Sequence, residues 1–358
     1  MIFYTASGIG PGILLFTSIV VGFFSAHLCR PGRSTGHLLV ALAFPFVALF
    51  VSKYLGFSLR TFGINLETDG LIDLVAKLSL PAGISFYTFQ LASYLVDLRD
   101  RKIHREGNFF QFSTYIAFFP QLIAGPILRY SEIKVQLDRI STERRLNPEL
   151  HLGIKYCTFG FFYKIFFSDI LTTIHLRYNN IEGSVSTDAL YSVLSYSAII
   201  YFDFWSYSLI AIGLAKLFAI NLPRNFREPY KSPSPREFWK RWHMSLGRWI
   251  NLYLFAVMVR RTGMVVLSIM TTFLLVGLWH SYTVNYAIWG MCHGIGLSIV
   301  YVLGKKQPAW HTWIKGRLYY RVFCWWLTIS TVSVLSVFAN MKDLESGITF
   351  LRALTGTY

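Results

Sequence analysis

A histidine at the end of an apolar run is the residue of this sequence best suited to chemistry. The run closes with GLWH at 277–280, and His293 follows thirteen residues after His280. Lipid offers an imidazole no hydrogen-bond partner, so an ionisable side chain at membrane depth indicates a functional site. The alternative is a packed histidine that bonds to a neighbouring helix. No paired serine nucleophile is evident, which favours a general base acting on a substrate hydroxyl.

His293 is a weaker candidate for direct participation. If the chain turns near residues 283–285, His293 lies about eight residues along the next helix, or ~12 Å from the turn at 1.5 Å per residue. We therefore expect a supporting role and no direct contact with His280. The sequence contains neither a His-Glu-x-x-His zinc motif nor a Gly-x-x-x-x-Gly-Lys phosphate loop. We predict that the protein uses no metal.

The segment PREFWKRWHMSLGRW at 235–249 is amphipathic. A continuous helix would place Phe238, Trp242, Leu246 and Trp249 on one stripe and would turn its basic residues toward lipid headgroups. This pattern is typical of an interfacial helix, whose simplest role is to anchor the segment at the membrane surface.

The same segment offers groups for binding and catalysis. Ser234 is the predicted N-cap of the helix. His243 is the second catalytic candidate, which either orients a substrate or only bonds at the interface. Arginine and lysine bind phosphate through charge-assisted hydrogen bonds, so this segment could also bind an anionic donor such as a CoA phosphate. The candidate side chains for that donor are Arg236, Lys240, Arg241 and Arg248.

Asp203 lies in another apolar run, YFDFWSY at 201–207. A carboxylate at membrane depth usually has a partner. We expect a structural pair with an arginine, lysine or tyrosine, and we weigh a role in orienting a histidine as the less favoured alternative.

The composition indicates an integral membrane protein that forms one multi-helix bundle. Of the 358 residues, 54% are hydrophobic and 15% are charged, and several apolar stretches reach the roughly 20 residues that span hydrocarbon. The predicted spans are 11–29, 36–56, 71–97, 109–127, 150–172, 189–219, 264–280, 283–304 and 321–340. A short apolar piece at 249–259 is expected to enter the membrane without crossing it.

Proline and glycine are expected to break two of these segments. Pro81 and Gly83 interrupt 71–97, and Pro120, Gly125 and Pro126 give 109–127 the character of a bent or re-entrant segment.

Charge in the loops predicts the orientation of the bundle. The net charge of +16 is concentrated in loops that flank apolar spans, which argues against a nucleic-acid partner and for contact with anionic headgroups. Basic loops near 99–105, 129–145, 224–248, 260–261 and 305–321 are predicted to face the cytoplasm. The helix at 264–280 then runs outward and carries His280 to the outer half of the membrane.

Seven phrases in this order resemble the membrane-bound O-acyltransferase family, in particular its branch that acetylates bacterial polysaccharides. They are GISFYTFQ at 83–90, SYLVD at 93–97, FPQLIAGPILRY at 119–130, YFDF at 201–204, EFWKRWHMSL at 237–246, GLWH at 277–280 and WGMCHG at 289–294. The resemblance covers about 80–340 as the family core. Residues 1–79 would supply N-terminal spans and look one or two helices short.

The resemblance implies an all-α bundle of about 9–11 membrane helices, including re-entrant segments, in one domain over 1–358 around a central tunnel. The family's catalytic histidine falls on His280, and the histidine of its Trp-His-Ile-Ser-like phrase falls on His243. Acetyl-CoA or another acyl thioester, free or on a carrier, would be the donor. The acceptor would be a hydroxyl on an exported polysaccharide, or on an extracytoplasmic acetyltransferase or polysaccharide-synthesis partner. The location would be the bacterial inner membrane.

Two other functions fit parts of this pattern. A transporter of an acyl group or glycan precursor could also use intramembrane His280, Asp203 and broken helices, although no internal repeat is visible. A non-catalytic scaffold subunit of a polysaccharide synthase is the second alternative, because residues 251–263 depart from the family pattern.

Overall fold

The computed structural model describes residues 9–29, 34–55, 81–123, 125–143, 149–178, 186–306, 314 and 316–357. Within these ranges the protein is helical and contains no β-strand. The helices are α1 (Ile9–Ser25), α2 (Thr35–Phe50), α3 (Ile84–Arg99), α4 (Phe109–Ala117), α5 (Phe119–Leu122), α6 (Tyr130–Thr142), α7 (Leu150–Tyr163), α8 (Ile170–Tyr178), α9 (Ser186–Leu217), α10 (Pro235–Arg241), α11 (Met244–Ile250), α12 (Ala256–Thr262), α13 (Val265–His280), α14 (Val284–Lys306), α15 (Leu318–Asn340) and α16 (Leu344–Thr355).

The predicted all-α, membrane-spanning architecture is confirmed. In the described part of the chain, five helical stretches are long and apolar enough to cross a membrane: Thr35–Tyr54, Leu150–Leu176, Ser186–Leu217, Val284–Lys306 and Leu318–Asn340. Two shorter apolar helices, α1 and α13, coincide with two more of the predicted spans. The first part of the predicted 71–97 span lies outside the described residues.

The predicted break in 109–127 is present, whereas for 71–97 the structure describes only the residues from Pro81 onward. Helix α3 begins after Gly83, whose φ of 74° lies in the left-handed region that glycine occupies without strain. A Cβ at this position would also collide with the backbone carbonyl of Leu122. The segment at 109–127 is interrupted at Phe118, whose extended backbone separates α4 from α5. The interruption at Phe118 confirms that 109–127 is not one straight helix.

Three helical turns of the described residues widen into π-helices. They follow α2 at Val51–Leu55, follow α7 at Lys164–Asp169 and join α11 to α12 at Asn251–Phe255. As a result, the short apolar piece predicted at 249–259 belongs to a longer helical run from α11 to the end of α12. That run ends at Gly263, which has a φ of 67°.

Packing divides the chain into two compact units, Met1–Cys157 with Ala211–Leu222, and Thr158–Ile210 with Pro223–Tyr358. The first has a core rich in buried tyrosine and phenylalanine, including Tyr87, Tyr94 and Phe112. The second contains all the candidate site residues of the sequence analysis. The expected single domain and its central tunnel stay predictions.

Helix α16 is an element that the sequence analysis did not predict. It is too short and too polar to resemble a membrane span. Asp343 caps its N-terminus by accepting a hydrogen bond from the Ser346 amide at 2.8 Å, and Phe350 on its inner face is fully buried. It closes the second unit by packing against α15 and α14.

Candidate active site

His280 is the last residue of α13, so the helix that precedes it decides where its imidazole lies. Helix α13 pairs with α14 as a closely packed hairpin. Added Cβ atoms at Gly277 and Gly290 would collide with the backbone carbonyls of Tyr286 and Phe273. Small residues at helix contacts allow such close approach in membranes. The glycine of the GLWH phrase therefore fixes the base of the hairpin one turn from His280.

Three aromatic rings border the His280 imidazole. The ring centroids of Trp279 and Tyr286 lie at 4.6 Å and 5.8 Å, and the second of these rings is stacked. Trp289 of α14 presents its ring edge-to-face at 5.4 Å. The residue as a whole remains exposed. The imidazole thus packs against three rings, in a residue that is exposed at the surface of the protein.

His243 lies between α10 and α11 in a left-handed backbone conformation, with a φ of 43° and a ψ of 55°. Such a conformation is uncommon for residues other than glycine and is often found at functional sites. The residue is 6% exposed, and its ring meets that of Phe204 edge-to-face at 4.6 Å. Asn225 holds the following residues, because its carbonyl accepts from the Met244 amide at 2.8 Å and its Oδ1 from the Ser245 hydroxyl at 2.6 Å.

This geometry corrects the predicted single amphipathic helix. Residues 235–249 form two short helices that are separated at Trp242 and His243, because Asn225 binds the backbone where a continuous helix would need it. Phe238 and Leu246 of the expected stripe are buried inside the protein and do not face lipid. The predicted cap is confirmed, since the Ser234 hydroxyl accepts a hydrogen bond from the Glu237 amide at 3.3 Å.

The fold places the two candidate catalytic histidines near enough for their charges to interact, although 36 residues separate them in the sequence. Burial lowers the pKa of His243, and the nearby charge of a protonated His280 lowers it further. Both effects disfavour a second positive charge at the same place. His243 is therefore a neutral imidazole, able to accept or donate one hydrogen bond.

The four predicted donor-binding cations lie on two helices. Arg236, Lys240 and Arg241 belong to α10, whereas Arg248 belongs to α11. Glu237 pairs with Lys240 at 3.1 Å and with Arg241 at 3.7 Å. Lys240 chiefly lowers the pKa of Glu237, which keeps this carboxylate charged. An anionic ligand would have to compete with Glu237 for two of the four cations.

The predicted partner of Asp203 is a lysine. The Nζ of Lys164 lies 2.6 Å from the Asp203 carboxylate and 2.9 Å from that of Asp169. The Ser168 hydroxyl donates to the same Asp203 oxygen at 3.0 Å. The π-helix at Lys164–Asp169 supplies three of these side chains from adjacent turns. The structural pair is confirmed.

Two further polar residues lie near the site: His293, for which the sequence analysis expected a supporting role, and Asn285, which it did not select. His293 contacts Trp289 and Trp239, and Trp289 in turn contacts His280. Asn285, in the first turn of α14, donates from its amide to the carbonyl of Asp343 at 2.9 Å. A polar residue in the first turn after GLWH was the only signal for Asn285. No cluster of three metal-binding side chains occurs in the ranges that the structure describes.

Comparison with known proteins points to one family. Residues 98–339 match the family described as MBOAT, membrane-bound O-acyltransferase family. The chain is 33% identical over 297 residues to the "Probable alginate O-acetylase AlgI" of Pseudomonas syringae pv. tomato, an alignment that covers 82% of this chain and 55% of the relative. It is 29% identical over 381 residues to the "Peptidoglycan O-acetyltransferase" of Helicobacter pylori, covering 96% of this chain and 70% of that protein.

A third relative shows a different transferred group. The "Teichoic acid D-alanyltransferase" of Bacillus subtilis is 28% identical over 251 residues, which is 66% of this chain and 62% of the relative. The chain spans about half of the length of the curated alginate O-acetylases that it matches.

Proposed function

Because the chain belongs to the membrane-bound O-acyltransferase family, we propose that it transfers an acyl group from a thioester to a hydroxyl, with His280 as the general base. The exposed imidazole of His280, supported by aromatic rings at the end of a closely packed hairpin, is the observation that carries this proposal. A well-placed general base accelerates such a reaction by roughly a hundred- to ten-thousand-fold.

In the proposed reaction, the imidazole takes the hydroxyl proton as the oxygen attacks the thioester carbonyl. A new carbon–oxygen bond forms, the carbon–sulfur bond breaks, and the thiolate leaves and recovers the proton. The neutral state of His243 suits it to hydrogen-bond the reacting group or to assist this proton transfer. No metal is needed for any step of this scheme.

The donor is proposed to be acetyl-CoA or another acyl thioester that enters from the cytoplasmic side. Arg236, Lys240, Arg241 and Arg248 would bind its phosphates. Of these, Arg236, Lys240 and Arg248 are exposed and can reach a ligand without unfolding α10 or α11. Acetyl is favoured over alanyl because the O-acetylase and the O-acetyltransferase align over 82% and 96% of this chain, and the D-alanyltransferase over 66%.

The acceptor is proposed to be an exported or cell-surface polysaccharide. The protein itself is proposed to lie in the bacterial inner membrane. Alginate, peptidoglycan and teichoic acid all occur in the names of relatives, and all of them carry hydroxyl groups. The hydroxyl could be modified directly, or through an extracytoplasmic acetyltransferase or polysaccharide-synthesis partner that passes the acyl group onward.

A variant of the base tests the proposal. His280→Ala should accumulate in the membrane and retain its Tm in detergent, but should lose transfer of radiolabelled acetyl from acetyl-CoA to surface polysaccharide. His151→Ala removes an exposed histidine of α7 and serves as the matched control with full activity. Undiminished acetylation by His280→Ala would remove the assignment.

The same preparation separates transfer from transport. An enzyme consumes thioester in detergent when a hydroxyl acceptor is supplied, although no compartments remain, whereas a transporter does not. Binding of acetyl-CoA to purified protein, measured by calorimetry, excludes a scaffold that needs no donor. Absence of both signals would favour the transporter or scaffold functions over acyl transfer.

A further inference from the structure

The indole of Trp289 lies at the centre of a cluster that connects His280 with two other helical segments. It meets the His280 ring at 5.4 Å, the His293 ring at 4.7 Å and the Trp239 ring at 5.7 Å. All three contacts are edge-to-face, the arrangement that aromatic quadrupoles favour. Trp289 itself is 8% exposed. Its orientation is therefore set by its packing against these rings, and its indole borders His280.

Trp239 closes this cluster from the side of α10. Its ring lies edge-to-face with His293 at 5.0 Å and with Phe273 of α13 at 5.2 Å. Phe273 precedes His280 by seven residues, two helical turns, and so lies on the same side of α13. The cluster thus connects α13, α14 and α10 in a closed ring of contacts.

His293 is an unexpected residue for such a place. It is 3% exposed, and its Nε2 has no hydrogen-bond partner among the described residues. Trp239 Nε1 is buried without a partner in the same way. Buried polar atoms that make no hydrogen bond lower stability, and an apolar ring of similar shape would avoid this cost. Stability alone does not account for an imidazole at this position.

We propose that His293 is a positioning residue for His280, acting through Trp289. The small imidazole ring lets Trp289 approach at 4.7 Å while Trp239 packs on it from a perpendicular direction. A larger phenyl ring would push against both indoles and shift the Trp289 indole, which borders His280. This inference rests on the proposed function only where it predicts a change in rate.

The test compares His293→Phe with Ser298→Ala in the full-length protein. Ser298, further along α14, also carries a buried hydroxyl without a partner in the described part of the chain. Ser298→Ala removes an unsatisfied polar atom without adding volume and should leave Tm equal to or above that of wild type. His293→Phe also removes one but enlarges the ring, so the two effects oppose each other and its Tm should stay close to that of wild type. Only His293→Phe should lower kcat for acetyl transfer, by roughly tenfold to a hundredfold, with KM for acetyl-CoA unchanged, because small misplacements of a reacting group carry such penalties.

A second measurement does not depend on activity. Diethyl pyrocarbonate modifies exposed neutral imidazoles, and the rate at His280 can be followed by mass spectrometry of its peptide. His293→Phe should change this rate, and Ser298→Ala should leave it as in wild type. If the phenylalanine variant does not accumulate, Trp239→Phe carries the same comparison, because it changes the opposite side of Trp289.

The outcomes separate the two proposals. An altered modification rate together with lowered kcat supports both. An altered modification rate with unchanged kcat supports the positioning of His280 and refutes its role as the base. Wild-type modification and wild-type kcat in His293→Phe would overturn the positioning inference, and the effect of His280→Ala would still decide the proposed function.

Discussion

Replacing Gly277 by alanine is the sharpest test of how the hairpin positions His280. A Cβ at this position would lie 3.1 Å from the carbonyl carbon of Tyr286 and 3.4 Å from the Cα of Gly290, and still closer to the Tyr286 oxygen. Carbon atoms in good contact are about 3.5–4.0 Å apart, so α13 and α14 must separate by roughly 0.5 Å or more. The obstacle is backbone, which cannot rotate away as a flexible side chain could.

His280 follows Gly277 by three residues, so this displacement reaches the imidazole almost undiminished. A shift of about 1 Å can lower the rate of an enzyme by roughly a hundredfold, and we therefore expect at least a tenfold loss of kcat in Gly277→Ala. Overpacking should also destabilise the protein by about 1–3 kcal/mol, visible as a lower Tm in detergent. The measurement is acetyl transfer by purified protein at saturating acetyl-CoA, normalised to folded protein.

Gly304→Ala is the matched control, because it lies on α14 and an added Cβ there would meet no atom within 4 Å. It should keep full activity and stabilise the helix by up to about 1 kcal/mol. If Gly277→Ala transferred acetyl groups as fast as Gly304→Ala, the close approach of α13 and α14 would not set the geometry of the reaction, and the positioning of His280 by the hairpin would be refuted.

Three further predictions concern the charged groups around the site. Lys164→Met should lower Tm in detergent because it leaves the Asp203 carboxylate without its lysine partner. The double variant Lys164→Met with Asp203→Leu should recover part of the loss. Equal Tm values for wild type, the single variant and the double variant would contradict a stabilising pair. Because the folded pKa of His243 is depressed, its contribution to stability is present above its ordinary pKa and is lost as pH falls below about 6.5. Thermal denaturation from pH about 7.5 to about 5 should therefore show a shallower decline for His243→Asn, whose side chain tolerates the left-handed backbone, and an unchanged slope would refute the burial of a neutral imidazole. Glu237→Gln should lower KM for acetyl-CoA, with greater dependence on ionic strength, because it releases Lys240 to bind phosphate; an unchanged KM would exclude this cation from the donor site.

Most of the helices that could be predicted were predicted from the length of hydrophobic runs and from helix-breaking residues. A run of about 20 apolar residues has few alternatives to a membrane helix, so the stretches that became α9, α14 and α15 were predicted within a few residues. The break before α3 could be predicted because glycine and proline act locally on the backbone. Helix α16 escaped prediction because its burial comes from tertiary packing of a short amphipathic stretch, a signal that hydropathy does not contain.

The candidate site residues could be selected from the sequence, but their geometry could not be predicted from it. An isolated histidine in an apolar run is costly wherever the helix packs, so His280 could be selected without a structure. The ring cluster around Trp289 could not, because it requires the crossing of α13 with α14. Nor does any local signal in WGMCHG show that His293 would be buried with an unsatisfied nitrogen.

The interruption between α10 and α11 shows why the sequence pattern predicted one helix at 235–249 where the structure has two. Residues 235–249 have good helical periodicity and contain no proline beyond the first helical position, so local rules favour one helix. Asn225, ten residues before that segment, instead binds the Met244 amide and the Ser245 hydroxyl. These bonds hold His243 at a positive φ, where a continuous helix would have placed it at a negative one. In this conformation the His243 ring meets Phe204 edge-to-face and lies within range of the charge of His280, so a strained backbone accompanies the placement of the two imidazoles.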